Sequence, residues 1–508
     1  RGGGRGVSDS YINIANQLGN TNIHWTLGSK NKSGFDYIDV AEEGNRDSSS
    51  SVYTQLRTHT QFTNSSSLEW QAGIKSGTNQ QRQSLDELFV YNDEEDINSE
   101  DVFVSSKLNY EFSATQFSHL QVYSENFKRT QEWNACSVAD NSICGDLNSN
   151  ISETKSEVEY QHTSIWSNQL RSVMGGRLRL DEFDSETYNN GKSENRNASV
   201  FSNVEYKFGG NYVANIGGMY EDDRLNGEYF SPRVALNYQI NSSQSIKLIY
   251  SEAIRSPNLF EQDGEVNIAI NNLTQNNDLL QTGALPIYIP DYDIVQNYDI
   301  VNGQAVVSVG DGDGELTHEK IYSHELSYFG LIPQFDVQLD IKLFYDELSG
   351  LISQPMDHSK MLTNENKLVQ HGVEGQAKFQ LNSDNQLWFT WAYVESDYDF
   401  SGNNSDIKKE KRLSAKNSGS LVWISNLSRN TQLGAAWYYV DNWNAPQDGG
   451  YRFSRLDLNL SRTLALNSGY QLKLQAATQY RLDDDPLLYS KNIYEDKLFA
   501  YVSAELNF

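Results

Sequence analysis

The feature that most constrains this chain is an alternation of apolar and polar residues sustained for about ten positions at a time. From Phe335 to Asp346, Phe335, Val337, Leu339, Ile341, Leu343 and Tyr345 fall on one face of an extended chain, and Asp336, Gln338, Asp340 and Lys342 on the other. The same split recurs in Tyr470, Leu472, Leu474, Ala476, Thr478 and Tyr480 against Gln471, Lys473, Gln475 and Gln479. Leu456, Leu458 and Leu460 against Arg455, Asp457 and Asn459 repeat it again. A period of two means β-strand. A face carrying Asp and Lys cannot line a dry sandwich core, but it can line the wet lumen of a large barrel whose other face meets lipid.

The connections between these segments alternate in length. Short turns stand near residues 17–21, 63–66, 112–114, 166–168, 209–210, 241–243, 331–333, 382–384, 426–429 and 465–467. Longer stretches lie between them, near 29–51, 76–101, 131–151, 182–193, 221–228, 255–319, 348–365, 397–410, 440–450 and 481–494. Short periplasmic turns and long extracellular loops are the topology of a bacterial outer-membrane barrel. The expected fold is therefore all-β, a large transmembrane antiparallel up-and-down β-barrel of about 21–22 strands filling residues 1–508, with 255–319 as its largest extracellular loop. Single-chain bacterial barrels have even strand numbers, so a count near 21 predicts one strand missing before Val7 to Gln17. The chain closes on Leu498 to Phe508, where Leu498, Ala500, Val502, Ala504, Leu506 and Phe508 share a face, as a final barrel strand should.

Composition fits this reading. No run of about 18 apolar residues is present and mean hydropathy is −0.63, which excludes a transmembrane helix but not a barrel, whose strands hide their oil in alternation. Arg1 to Gly6 has neither the apolar stretch nor the cleavage site of a signal peptide. Thirty Tyr, 21 Phe and 9 Trp supply aromatic girdles, with Trp70, Trp166, Trp388, Trp391, Trp437, Tyr438 and Tyr439 placed near strand ends. A net charge of −28 disfavours nucleic acid as a partner. Cys136 and Cys144 close a short polar stretch, which fits a disulfide in an oxidising compartment; two unlinked thiols are the other reading.

Two blocks carry a family resemblance. Ser231 to Glu261 contains Tyr250, Ser251, Ala253, Arg255, Pro257, Leu259 and Glu261, and resembles the "Y-S-x-A-x-R-x-P-x-L-x-E" stretch of TonB-dependent outer-membrane receptors. Gly312 to Gly330 resembles a second family segment at Leu316, Glu319, Glu325 and Gly330, although Thr317 and His318 stand where Lys and Pro are usual. The following Phe344 to Ser353 and the terminal Phe508 also match. The resemblance implies a barrel of 22 strands filled by an N-terminal plug domain, binding a scarce solute at its outer face and releasing it with energy from the TonB complex. Neither plug nor coupling box matches in this chain, so both are expected in a region preceding Arg1. The implied partners are outer-membrane lipid and lipopolysaccharide, the TonB complex through that region, and a small-molecule or chelate ligand. The implied location is the outer membrane of a Gram-negative bacterium.

No nucleophile elbow, H-E-x-x-H or phosphate loop occurs, so no enzyme activity and no cofactor is expected. Asp311, Asp313 and Glu315 lack full EF-hand spacing and are read as loop rather than calcium ligands. The acidic run Asp93, Glu94, Glu95, Asp96, Glu100 and Asp101 is read as solvated surface. His318, His324 and His371 are read as lumen or loop residues rather than haem ligands, and Arg255 and Pro257 as ending a strand and pinning the path of the largest loop. No residue identifies the ligand. The expected function is import of a ferric siderophore or similar metal chelate; a passive channel, an oligosaccharide importer of the same family and a surface adhesin are the alternatives.

Overall fold

A backbone that crosses lipid must satisfy every N–H and C=O within the protein, so a sheet that spans a membrane has to close. The computed structural model describes residues 1–34, 48–80, 88–91, 96–289, 294–311, 316–352, 364, 366–399, 414–445, 449–466, 469–483 and 497–507. In it, 22 strands form one closed antiparallel sheet. From Ser8–Leu18 onward each barrel strand pairs with the next along the chain, skipping only the loop insertions that precede Ile97–Ser113, Ile151–Ile165 and Glu319–Ile332. The parity of the sequence reading puts an unseen strand between Ser8–Leu18 and Leu498–Asn507. That place is held by the two-residue strand Gly2–Gly3, with Gly2 opposite Ser8 on one side and Val502 on the other. At Gly3 only glycine fits, since a Cβ there would stand 2.6 Å from the Cβ of Tyr501.

The two faces divide as the period-two pattern predicts. On Gly191–Phe208 the even positions Phe208, Tyr206, Val204, Ser202, Val200 and Ala198 point outward before the charges of Arg196, Glu194 and Lys192 begin. Ten residues at about 3.3 Å each, tilted by about 40°, span about 25 Å, the height of an apolar membrane band. The rings of Tyr206, Phe208 and Tyr212 stack in turn, and Tyr238 tilts against Tyr212, forming a girdle at the short-turn end. The odd, lumenal positions carry cross-strand ion pairs, such as Arg177 with Glu221, while further round the barrel Lys342 meets Glu374 at 2.7 Å. Asp101 of Ile97–Ser113 lies on this lumenal face rather than in an external acidic run, and Asp93 to Glu95 lie outside the described residues.

The short turns fall where the sequence places them, with one shift. Phe335 belongs to the 3-10 turn Pro333–Phe335 and not to the following strand, which runs Val337–Leu351. Two connections read as long are tight instead: Glu186–Asn189 is a single helical turn between strands, and only residues 224–226 separate Tyr212–Asp223 from Gly227–Asn241. The strands run on past the membrane band and consume those loops.

The larger departure lies in the insertions at 88–91, 131–149, 264–289 and 294–311, read as loops. They fold together as a β-structured cap. Phe89–Tyr91, Glu132–Ser137, Ile143–Asn148, Glu265–Gln275, Asp278–Leu279 and Ala305–Asp311 make a six-stranded sheet, joined by the hairpin of Thr282–Ile289 with Ile294–Val301. Cys136 and Cys144 face each other across the Glu132–Ser137 hairpin and are joined by a disulfide. The dry core of the molecule is here: Phe89, Trp133, Leu147, Ile270, Leu273, Leu285 and Ile287 pack in one buried cluster. Barrel side chains touch lipid or lumen, so the most completely enclosed positions collect in the cap. Leu273, fully enclosed, is the position to cut: Leu273→Ala should destabilise the cap by about 2–5 kcal/mol. Limited proteolysis should then clip 264–311 faster, while the heat-dependent gel shift of the barrel stays unchanged.

Candidate functional site at the barrel mouth

The two family blocks, some 60 residues apart, meet at the long-loop end. Arg255, the last residue of Gln244–Arg255, stands opposite Glu319, the first of Glu319–Ile332. Its Nε and Nη2 donate to the two Glu319 oxygens at 2.5 and 2.9 Å, and its Nη1 donates to Glu261 at 2.8 Å. Glu319 also accepts from the Ile352 amide at 2.8 Å, so one carboxylate ties three chain segments. Glu261 in turn completes a capping box: Asn258 accepts from the Glu261 amide, and the Glu261 carboxylate accepts from the Asn258 amide. This starts the short helix Leu259–Asp263, whose Phe260 ring packs edge-on against Tyr188 of the other short helix. Leu316 is buried just before Glu319, and Asn364 staples the neighbouring backbone by accepting from the Thr317 amide and donating to the Gly350 carbonyl.

A second centre, Asp223, holds this helix over the lumen. Its buried carboxylate accepts five hydrogen bonds, from Asn195 Nδ2 at 2.8 Å, Asn197 Nδ2 at 3.3 Å, the Leu225 and Asn226 amides, and Asn226 Nδ2. Asn226 Nδ2 reaches on to the Pro257 carbonyl at 3.2 Å. Pro257 is thus fixed through its acceptor oxygen as well as its ring. Beneath the roof formed by residues 256–260 lies a pocket of about 520 Å³, walled by lumenal side chains of four successive strands. Arg179 pairs with Asp181 at 2.8 Å and Arg177 with Glu221 at 3.5 Å, whereas Lys155 has no ion pair among the described residues. His318 is buried behind the roof, with Nδ1 3.2 Å from Ser256 Oγ, its ring against Tyr229, and Nε2 without a partner. Burial holds its imidazole below the ordinary histidine value, although Asp223 and Glu221 pull the other way.

Other sequence candidates fall elsewhere. Tyr250 faces outward, donating to Glu252 at 2.5 Å, and Glu325 lies on the lumenal wall opposite Ile249 and Phe344. His324 and His371 are corrected from lumen or loop to the outer face: His324 packs between Tyr250 and Tyr345, and His371 stands in register with Tyr345. Asp311 ends a cap strand, while Asp313, Glu315 and Phe508 lie outside the described residues. Among the described residues no group of three or more His, Cys, Asp or Glu is placed to hold a metal ion, and no helix is long and apolar enough to cross a membrane.

A family model described as "TonB dependent receptor-like, beta-barrel" matches residues 3–503. The chain belongs to this receptor family. No curated protein matches it in sequence. Among solved structures, the siderophore receptor PirA of Pseudomonas aeruginosa superposes with a TM-score of 0.68 at 11% identity, covering 100% of this chain and 78% of that one. A mutant of the ferric enterobactin receptor PfeA from Pseudomonas aeruginosa gives 0.69 at 11% identity, covering 99% and 78%. The ferric-catecholate import receptor Fiu of E. coli K12 gives 0.70 at 9%, covering 100% and 80%. At such identities these likenesses speak for the receptor-barrel fold.

Asp223, Asn195, Asn197 and Arg177 were not singled out from the sequence. The turn signal was available for the first of them: Asp223 opens a tight connection that ends in Gly227 at φ 81°, and Asp at a turn start caps the following amides. The others look like ordinary lumenal polar positions until the roof closes over them.

Two outcomes are expected. Arg255→Ala should leave the Glu261 and Glu319 carboxylates facing one another. Because the arginine is about half exposed, the cost is screened to about 1–2 kcal/mol; protease cleavage within 256–263 should rise, and the double variant with Glu319→Gln should partly reverse it. For His318, the folded mouth binds fewer protons than an opened one. Packing of 256–263 is therefore complete at neutral pH and above, and weakens as pH falls through about 6.5 and below. Hydrogen exchange of 256–263 should accelerate between pH 7.5 and 5, and His318→Gln should flatten that dependence.

Proposed function

We propose that this receptor barrel sits in the outer membrane of a Gram-negative bacterium and imports a scarce solute, a ferric siderophore or similar metal chelate, with energy from the TonB complex. The observation that carries the reading is a closed barrel with a polar lumen and a roofed pocket at its mouth, in a chain whose family model spans residues 3–503. A lumen of 22 strands leaks unless plugged, so the reading also requires an occluding, energy-coupled domain, and it sets the mouth among lipopolysaccharide. Transport rather than chemistry is the assigned role. Deletion of the gene should abolish uptake of at least one ⁵⁵Fe-labelled chelate in iron-starved cells. A protonophore should stop uptake in the complemented strain without stopping surface binding. Unchanged iron uptake with lost growth on one glycan would move the protein to the oligosaccharide importers, and protonophore-insensitive flux would make it a passive channel.

A further inference from the structure

Two of the neighbouring solved structures are named for ferric enterobactin and ferric catecholate, whereas the pocket under the 256–260 roof is built for a different charge. Its two guanidiniums are already committed, Arg179 to Asp181 and Arg177 to Glu221. Lys155, the remaining cation, sits between Glu153 and Glu157 along its own strand and opposite Glu125 and Asp181 on the flanking strands. A polyanion entering here meets more uncompensated carboxylate than ammonium.

A second observation, independent of the acids, points the same way. Asn195 and Asn197 line the pocket, are each 9% exposed, and leave their Oδ1 atoms without a hydrogen-bond partner. Their orientation is fixed, because Asp223 only accepts and so draws both Nδ2 groups, turning the carbonyl oxygens away from it. Two buried acceptors without donors cost free energy until something donates to them. Phe183 and Phe260 also line the pocket and add no anionic or cationic group to it. The buried Arg177 Nε is a donor without an acceptor, which a carbonyl oxygen of the ligand can meet without adding negative charge to the pocket.

Resting on the importer reading above, we infer that this pocket receives a protonated amine carried by a ferric chelate, and that the imported complex is neutral or positive rather than polyanionic. Asn195 and Asn197 accept from the ammonium, while Glu153 and the acids around Lys155 supply the field.

The full-length receptor, purified in detergent and checked for its heat-dependent gel shift, tests this by fluorescence titration with three probes. Ferrioxamine B carries a free ammonium, its N-acetyl derivative keeps the same iron coordination without that charge, and ferric enterobactin is a trianion. Ferrioxamine B should bind at least about tenfold more tightly than the acetylated form and more tightly than ferric enterobactin. The double variant Asn195→Leu with Asn197→Leu should lose that preference. Lys155→Glu, at an exposed lumenal position, should tighten ferrioxamine B several-fold. Equal binding of the acetylated form, stronger binding of ferric enterobactin, or binding of none of the three overturns the assignment. If deletion of the gene still impairs iron-limited growth in that case, only the charge assignment has failed; if it does not, the importer reading has failed with it.

Discussion

Everything in this molecule depends on leaving no backbone hydrogen-bonding group alone in hydrocarbon. In water an open sheet edge costs little, because solvent pairs with it; in lipid each orphaned group costs several kcal/mol. Antiparallel pairing therefore runs through all 22 strands, and the seam between Ser8–Leu18 and Leu498–Asn507 is closed by Gly2 and Gly3, of which Gly3 stands where a side chain would clash with Tyr501. Closure fixes the strand count, the count fixes a lumen too wide for side chains to fill, and the lumen forces the wet inner face seen in Lys342 with Glu374 and Arg455 with Asp457.

The same constraint moves the conventional core out of the barrel. Its side chains stand alternately on the outer face and in the lumen, so neither face of the barrel wall forms a dry core of its own. The loops that leave the membrane are free of that restriction. Their β-branched and aromatic residues collapse into the cap around Leu273, Ile270 and Ile287, held by a hairpin whose strands are bonded beside the turn through Cys136 and Cys144. The cap joins the barrel through the short helix Glu186–Asn189, where Thr187 Oγ1 donates to the Asn148 carbonyl and Ser185 Oγ to that of Asn150. A folded roof of this kind can enclose a solute, whereas a solvated loop can only brush against it.

At the mouth, one arginine and one aspartate do the assembling. Arg255 brings Glu261 and Glu319 into a single ionic knot, and Asp223 gathers five donors and links its turn to Pro257 through Asn226. Both groups shape backbone around the pocket rather than fill it. The receptor family supplies the first set as a sequence pattern; the second is carried by side chains with no pattern of their own.

Strand positions, the sidedness of each strand, the short turns and the receptor family were legible in the chain itself. Period-two alternation is a local property that survives any tertiary arrangement, and Arg255, Pro257, Glu261 and Glu319 sit at fixed local spacings. The sequence misplaced Phe335, read two tight connections at 186–190 and 224–226 as long, and put His324 and His371 in lumen or loop, because strand ends depend on how far pairing continues beyond the lipid. It was silent on the cap, whose strands come from three separate insertions between Phe89 and Asp311, and on the convergence of Asn195, Asn197, Arg177 and Asp223. Those depend on register between strands and on which loop lies over which wall. Such relations arise only when distant segments share one volume, and no local pattern records them.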